Sequence, residues 1–137
     1  MNIYIGYKYR NFKDKEGLKE NLSKISDTLS SLGHKTFILG RDAFNWNHHG
    51  KTSKSLPLII KNIKKNDVLL AIIECDSKSN GLLFESFCTK IFGKKIILAV
   101  KKGVSPKPFS NFTKNIIEFE NYEDLANSVR TDLKKYL

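Results

Sequence analysis

The residues best placed to do chemistry fall in one short stretch, Ser79-Asn80-Gly81-Leu82-Leu83-Phe84-Glu85, which follows a continuous apolar run and opens a helical pattern. A carboxylate in the first turn of such a helix, just beyond a buried strand, faces the region where open α/β sheets bind ligands. The positive end of the helix dipole would keep Glu85 ionised there. The alternative reading is a glutamate that only complements the dipole. Ser79 places a hydroxyl beside the free amides of a helix start, a combination suited to a phosphate oxygen, although serine is also an ordinary turn residue. Gly81 either lets a ligand approach the backbone or simply begins the helix. Arg10 belongs to a sparse set, Arg10, Arg41 and Arg130 among many lysines. Its planar guanidinium suits phosphate recognition, and its plainer reading is a surface side chain.

Other polar groups carry less. His48 and His49 are adjacent, so their rings point apart, and no third ligand has metal-site spacing; no metal and no cofactor is expected. Cys75 and Cys88 are too few for a disulfide framework and form no Cys-x-x-Cys pair, so both are expected as reduced, mostly buried thiols.

The elements that must position these groups follow from periodicity. Asn2 to Gly6 reads as a first strand, and Leu18, Leu22, Ile25, Leu29 and Leu32 form one stripe of a helix over 17–32 closed by Gly33. Lys35 to Leu39 is a second strand, and 40–51 a long polar loop holding Arg41, Asp42 and Trp46, of the sort that carries function. A helix capped by Thr52, Ser53 or Ser55 takes Pro57 in its first turn and turns Leu56, Ile59, Ile60 and Ile63 inward. Asp67 to Ile73, apolar after its first residue, has the pattern of a central parallel strand covered on both faces, with Asp67 structural at its start. A helix over 81–92 is expected to bury Phe84, Phe87, Cys88 and Ile91. Lys95 to Val100 and Asn115 to Phe119 supply the last strands. Asn121 caps a final helix whose inner face is Leu125, Val129 and Leu133. Alternating strands and helices imply an α/β fold, an open five-stranded parallel sheet flanked by helices, Rossmann/flavodoxin-like, in the order 2-1-3-4-5. Strands one and three then flank the ligand-binding crevice.

The 137 residues suffice for one domain, and no run approaches the ~18 to 20 apolar residues of a membrane helix. The start at Met1 lacks a signal-peptide pattern and reads as a strand, so a cytoplasmic location and no membrane partner are expected. A formal charge of +10 favours anionic partners. Because the charge is mostly scattered lysine, a solvated surface is preferred over a dedicated nucleic-acid face.

Three patches carry a resemblance: Asn66-Asp67-Val68-Leu69-Leu70-Ala71-Ile72-Ile73 with the Ser79 to Glu85 stretch; Gly93-Lys94-Lys95-Ile96-Ile97; and Ile3-Tyr4-Ile5-Gly6 with Arg10. The sequence resembles the nucleoside 2-deoxyribosyltransferase superfamily, and within it the 2′-deoxynucleoside 5′-phosphate N-hydrolase branch. The resemblance implies one such domain over 1–137, acting on the bond between a base and a deoxyribose. Glu85 would be the nucleophile that traps an oxocarbenium-like sugar, and Tyr4 would orient it. Ser79 and Arg10 would hold a 5′-phosphate, with Gly6, Gly81 and Asp76 completing the substrate-binding set. It also implies a homodimer in which a neighbour completes the pocket.

Two departures bear on activity. Ile59 stands where the family usually has an aspartate that binds sugar or protonates the base, and Leu83 replaces a glycine and would narrow the sugar site. Glu74 or Asp76 could supply the missing acid. The expected function is therefore an N-glycosidase or deoxyribosyltransferase-like enzyme on a nucleoside 5′-monophosphate. A catalytically degenerate nucleotide-binding protein and a basic nucleic-acid-binding module are the alternatives.

Overall fold

The computed structural model describes residues 1–8, 15–46, 52–76 and 79–137. Its elements run β1 (Asn2–Gly6), α1 (Lys15–Ser31), β2 (Lys35–Ile38), a single helical turn α2 (Leu39–Asp42), α3 (Thr52–Lys65), β3 (Val68–Ile73), α4 (Asn80–Ile91), β4 (Lys95–Lys101), β5 (Ile116–Phe119) and α5 (Tyr122–Asp132). All strand pairs are parallel, and the order is β2-β1-β3-β4-β5, as the alternation of strands and helices predicts. The chain therefore reverses its direction of winding between β1 and β3, where Tyr4 pairs with Leu69 and Gly6 with Ala71.

Side chains that alternate along each strand divide the core in two. Ile3, Ile5, Val68, Leu70 and Ile72 pack beneath α1 and α5, and Tyr4, Leu69, Ala71 and Ile73 beneath α3 and α4. All six residues of β3 are buried, which is why its sequence is a continuous apolar run rather than an alternation. Asp67 lies just before that strand at the amino end, where its carboxylate accepts the Asn2 amide at 2.9 Å, a structural role as expected. None of the described helices is long and apolar enough to cross a membrane.

Several boundaries differ from the sequence expectation. Helix α1 ends at Ser31, so Leu32 falls in the turn and is exposed; Gly33 takes the left-handed conformation (φ +91°) that closes the helix. Strand β2 stops at Ile38, and part of the expected loop is the α2 turn, pinned by Arg41 to Ser26, Thr36 and Asp42. In α3 the candidates Thr52, Ser53 and Ser55 lie inside the helix, and Pro57 sits a turn further in than the first.

The largest correction concerns α4. The stripe read as buried is only partly so: Phe87 is 53% exposed and Ile91 63%, whereas Leu82, Glu85, Ser86, Cys88 and Thr89 face the sheet. The two hydroxyls are satisfied within the helix itself, Ser86 donating to the Leu82 carbonyl at 2.8 Å and Thr89 to the Glu85 carbonyl at 2.7 Å. Polar residues can thus occupy a buried face without loss of hydrogen bonding. Rotating the helix to bury Phe87 and Ile91 would turn Leu82 and Glu85 into solvent.

Candidate active site

Glu85 is the sixth residue of α4, in its second turn rather than its first. It is therefore past the free amides of the helix start, and the carboxyl points down onto the carboxyl ends of the strands. It is only 6% exposed and accepts a hydrogen bond from the Tyr4 hydroxyl, itself 1% exposed, through Oε2. The expectation that the helix dipole keeps Glu85 ionised does not hold. Burial dominates and pushes its pKa up from 4.5 to about 8, and the Tyr4 hydrogen bond offsets part of the rise. The same burial, together with the neighbouring Glu85, drives the Tyr4 phenol well above its ordinary range. Cys88, one turn on, has its thiol raised by burial and then by Glu85.

Gly6 closes the site from the strand side. A Cβ placed on it would lie 2.7 Å from Leu82 Cδ1, 3.1 Å from Leu69 Cδ1 and 3.5 Å from Glu85 Oε1. The missing side chain lets the end of β1 approach the carboxyl, and it is Leu82, not Leu83, that crowds this point. Leu83 is half-buried on the outer side of the same cluster. Ile59 is buried with Tyr4 and Leu82, so the surface where the resemblance would put an aspartate is apolar. Phe37 packs against Tyr4 with the rings tilted by 43° and their centroids 5.0 Å apart.

The remaining candidates divide. Ser79 caps α4, its hydroxyl accepting the Leu82 amide at 3.3 Å, which leaves the hydroxyl proton for a ligand. Gly81 opens onto free space: a Cβ placed there would meet nothing within 4 Å. Asp76 accepts the Ser105 amide at 2.7 Å and so ties the β3–α4 loop to the loop after β4. Glu74 lies on the other face of the sheet from Glu85, beside Tyr122, a member of the core cluster under α1 and α5. Burial raises its pKa, with Tyr122 and Lys101 opposing. Among the described residues the buried Tyr122 hydroxyl has no hydrogen-bond partner. Neither Glu74 nor Asp76 is brought to the Tyr4–Glu85 pair as a replacement acid. Arg10, His48 and His49 lie outside the described residues. Among the described residues no three His, Cys, Asp or Glu side chains form a metal-holding group. Cys88 is buried as expected, but Cys75 is exposed at the mouth of the crevice, 3.9 Å from the Lys8 ammonium.

Sequence reading missed the Gly6–Leu82 contact and the neighbourhood of Cys88 and Glu85. The second was available from their spacing of three along a helix.

The chain is an α/β protein of the doubly wound type, with a buried carboxyl–phenol pair between β1 and α4. More narrowly, it shares its fold with solved structures of an N-glycosidase and of 2-deoxyribosyltransferases. The CMP N-glycosidase BcmB of Clostridium botulinum superposes with a TM-score of 0.69 at 16% identity, over 95% of this chain and 98% of that one. A 2-deoxyribosyltransferase from Bacillus psychrosaccharolyticus gives 0.64 at 22% identity, over 93% and 91%. The Leishmania mexicana 2-deoxyribosyltransferase gives 0.63 at 14%, over 96% and 98%. At the sequence level neither a family model nor a curated protein matches the chain.

Proposed function

We propose that the protein is a cytoplasmic N-glycosidase or deoxyribosyltransferase-like enzyme that cleaves the base–sugar bond of a deoxynucleoside 5′-monophosphate, as a single domain close to the 5′-phosphate N-hydrolase branch. The observation that carries the reading is the buried Tyr4–Glu85 contact beside Gly6, at the point where sheets of this fold bind ligands.

In the first step the Glu85 carboxylate attacks the anomeric carbon as the C–N bond breaks, and the base departs with the bonding electrons and takes up a proton from water. In the second, water or another base displaces Glu85 from the sugar. Tyr4 holds the carboxyl in one orientation, and burial makes the negative charge costly until a positively charging sugar centre lies against it. The Ser79 hydroxyl donates a hydrogen bond to the 5′-phosphate, helped by the helix start it caps, and Gly81 leaves room for that group. Arg10 is assigned to the same phosphate by resemblance. Asp76 acts by holding the loop rather than by touching substrate. The excess of positive charge favours approach of the anionic nucleotide.

A second reading is favoured by Ile59 and by Leu82 over Gly6, which together make the site apolar and tight. On it the protein binds or senses nucleotides without cleaving them. Incubation with a panel of deoxynucleoside monophosphates, followed chromatographically for free base, separates the two. Release that is lost in Glu85→Gln supports the enzyme; release equal in both proteins removes Glu85 from the mechanism; binding without release in either supports the sensor.

A further inference from the structure

Tyr4 reaches Glu85 from the middle of a row of three side chains. In the parallel register it pairs with Phe37 on β2 and with Leu69 on β3, and all three belong to the cluster under α3 and α4, the side of the sheet that carries Glu85. The tilted Phe37 ring, 5.0 Å away, bounds the phenol on one side, and the buried Leu69 bounds it on the other. Strand β2 is an edge of the sheet, and an edge strand is easily displaced unless its outward backbone groups find partners. Here they do. The Thr36 carbonyl accepts from Arg41 Nη2 at 3.1 Å and the Ile38 amide donates to Asp42 Oδ2 at 2.9 Å, one bond on each side of Phe37. Arg41 and Asp42 are themselves paired at 2.9 Å, so the α2 turn clamps the backbone that carries the ring.

We propose that Phe37 is a positioning residue: held by the α2 clamp, its ring seats the Tyr4 phenol so that the hydroxyl meets Glu85 and keeps the carboxyl in its attacking orientation. A hydrogen bond that orients a nucleophile works only if the donor's own ring is locked, to within ~0.5 Å, by packing behind it. Loss of that support by ~1 Å can cost ~10²-fold in rate. The elements around the pair bring apolar side chains, Ile59 from α3, Phe37 from β2 and Leu69 from β3. The other titratable groups that act on the phenol are Cys88 on α4 and Tyr7 at the end of β1. The catalytic meaning of the seat rests on the nucleotide reading above; the seat itself can be tested without substrate.

The experiment follows the Glu85 carboxyl by NMR titration of the full chain carrying carbon-labelled glutamate, with the Glu85 signal identified by its loss in Glu85→Gln. In Phe37→Ala the phenol loses its seat, and the hydrogen bond that favours the carboxylate weakens. The midpoint should therefore rise by about half a pH unit or more, part of the ~1 unit or more that a hydrogen bond to a charged group supplies. Phe37→Tyr, which keeps the ring, should restore the wild-type midpoint, and Phe37→Ala added to Tyr4→Phe should produce no further shift. If Phe37→Ala does not fold, Phe37→Leu, which fills the space without a planar face, takes its place with the same outcomes. An unmoved midpoint would overturn the proposal. So would a lowered one, which would mean that Phe37 only excludes water, or an equal shift in the Tyr4→Phe background, which would mean that it does not act through Tyr4. Base release from deoxynucleoside monophosphates is measured beside the titration. There Phe37→Ala should lower kcat about tenfold with little change in KM, because Phe37 touches no substrate. A shifted midpoint with no base release by the wild type would keep the seat and remove the enzyme reading; release with an unmoved midpoint would do the reverse.

Discussion

The Tyr4 hydroxyl on β1 donates to Glu85 Oε2 on α4, joining two side chains 81 residues apart in a fully enclosed hydrogen bond. The contact couples the first strand to helix α4 across the crevice and makes the protonation of one carboxyl a property of the whole fold.

Stability should therefore fall with rising pH. A carboxyl whose folded pKa lies near 8, against 4.5 when exposed, binds its proton more tightly in the folded state. Its contribution is full below about pH 4.5 and is lost as the pH rises through about 8, with a limiting slope of about 1.4 kcal/mol per pH unit. Glu85→Gln removes this titration. Thermal melts of the two proteins from pH 5 to 9 should show the variant gaining on the wild type as pH increases; a constant difference would refute the assignment.

The same pKa sets the rate. In the proposed mechanism the carboxylate is the attacking form, so kcat/KM should climb with pH and level off above about 8. Tyr4→Phe deletes the one hydrogen bond that favours the carboxylate, so its rising limb should move to higher pH, with turnover at pH 7 lowered about tenfold or more. An unmoved profile would mean that Tyr4 only packs.

Ser79 offers a cleaner separation of fold and function. Ser79→Ala should cost about 1 kcal/mol through loss of the cap. Ser79→Asp keeps a good cap but sets a negative charge beside the phosphate. Calorimetric titration should find Ser79→Asp as stable as the wild type yet unable to hold the nucleotide; undiminished binding would move the phosphate elsewhere.

The homodimer implied by resemblance has a natural face in the outer side of α4, where Phe87 and Ile91 are one turn apart and exposed. Helix α3 carries no acid, and the acid of α4 is the buried Glu85, so the exposed charges of the two helices are lysines. Like charges then oppose pairing, and sedimentation equilibrium should show a dimer that tightens with salt and dissociates in Phe87→Glu. A monomer at all salt concentrations would exclude this partner.

The architecture was legible because the signals for it are local. The apolar run of β3, the stripes of α1 and α5, Gly33 and Asn121 each specify an element without reference to the rest. Glu85 was legible from its place after a buried strand as well as from resemblance, Tyr4 and Gly6 from resemblance alone, and the structure brings the three together. What misled was α4, where periodicity favoured Phe87 and Ile91 and gave no hint that Ser86 and Thr89 could bury themselves by bonding to their own helix. The state of Glu85 was misjudged for a related reason. A dipole can be read from position in a helix, but desolvation depends on side chains such as Leu82 and Ile59 that only the fold assembles.

The most direct test is intact-protein mass spectrometry of enzyme quenched during turnover of a deoxynucleoside monophosphate, followed by peptide mapping. The account predicts a deoxyribose 5-phosphate adduct on the peptide containing Glu85, and neither adduct nor base release in Glu85→Gln. Base released at the wild-type rate by Glu85→Gln, or an adduct mapped to another residue, would contradict it.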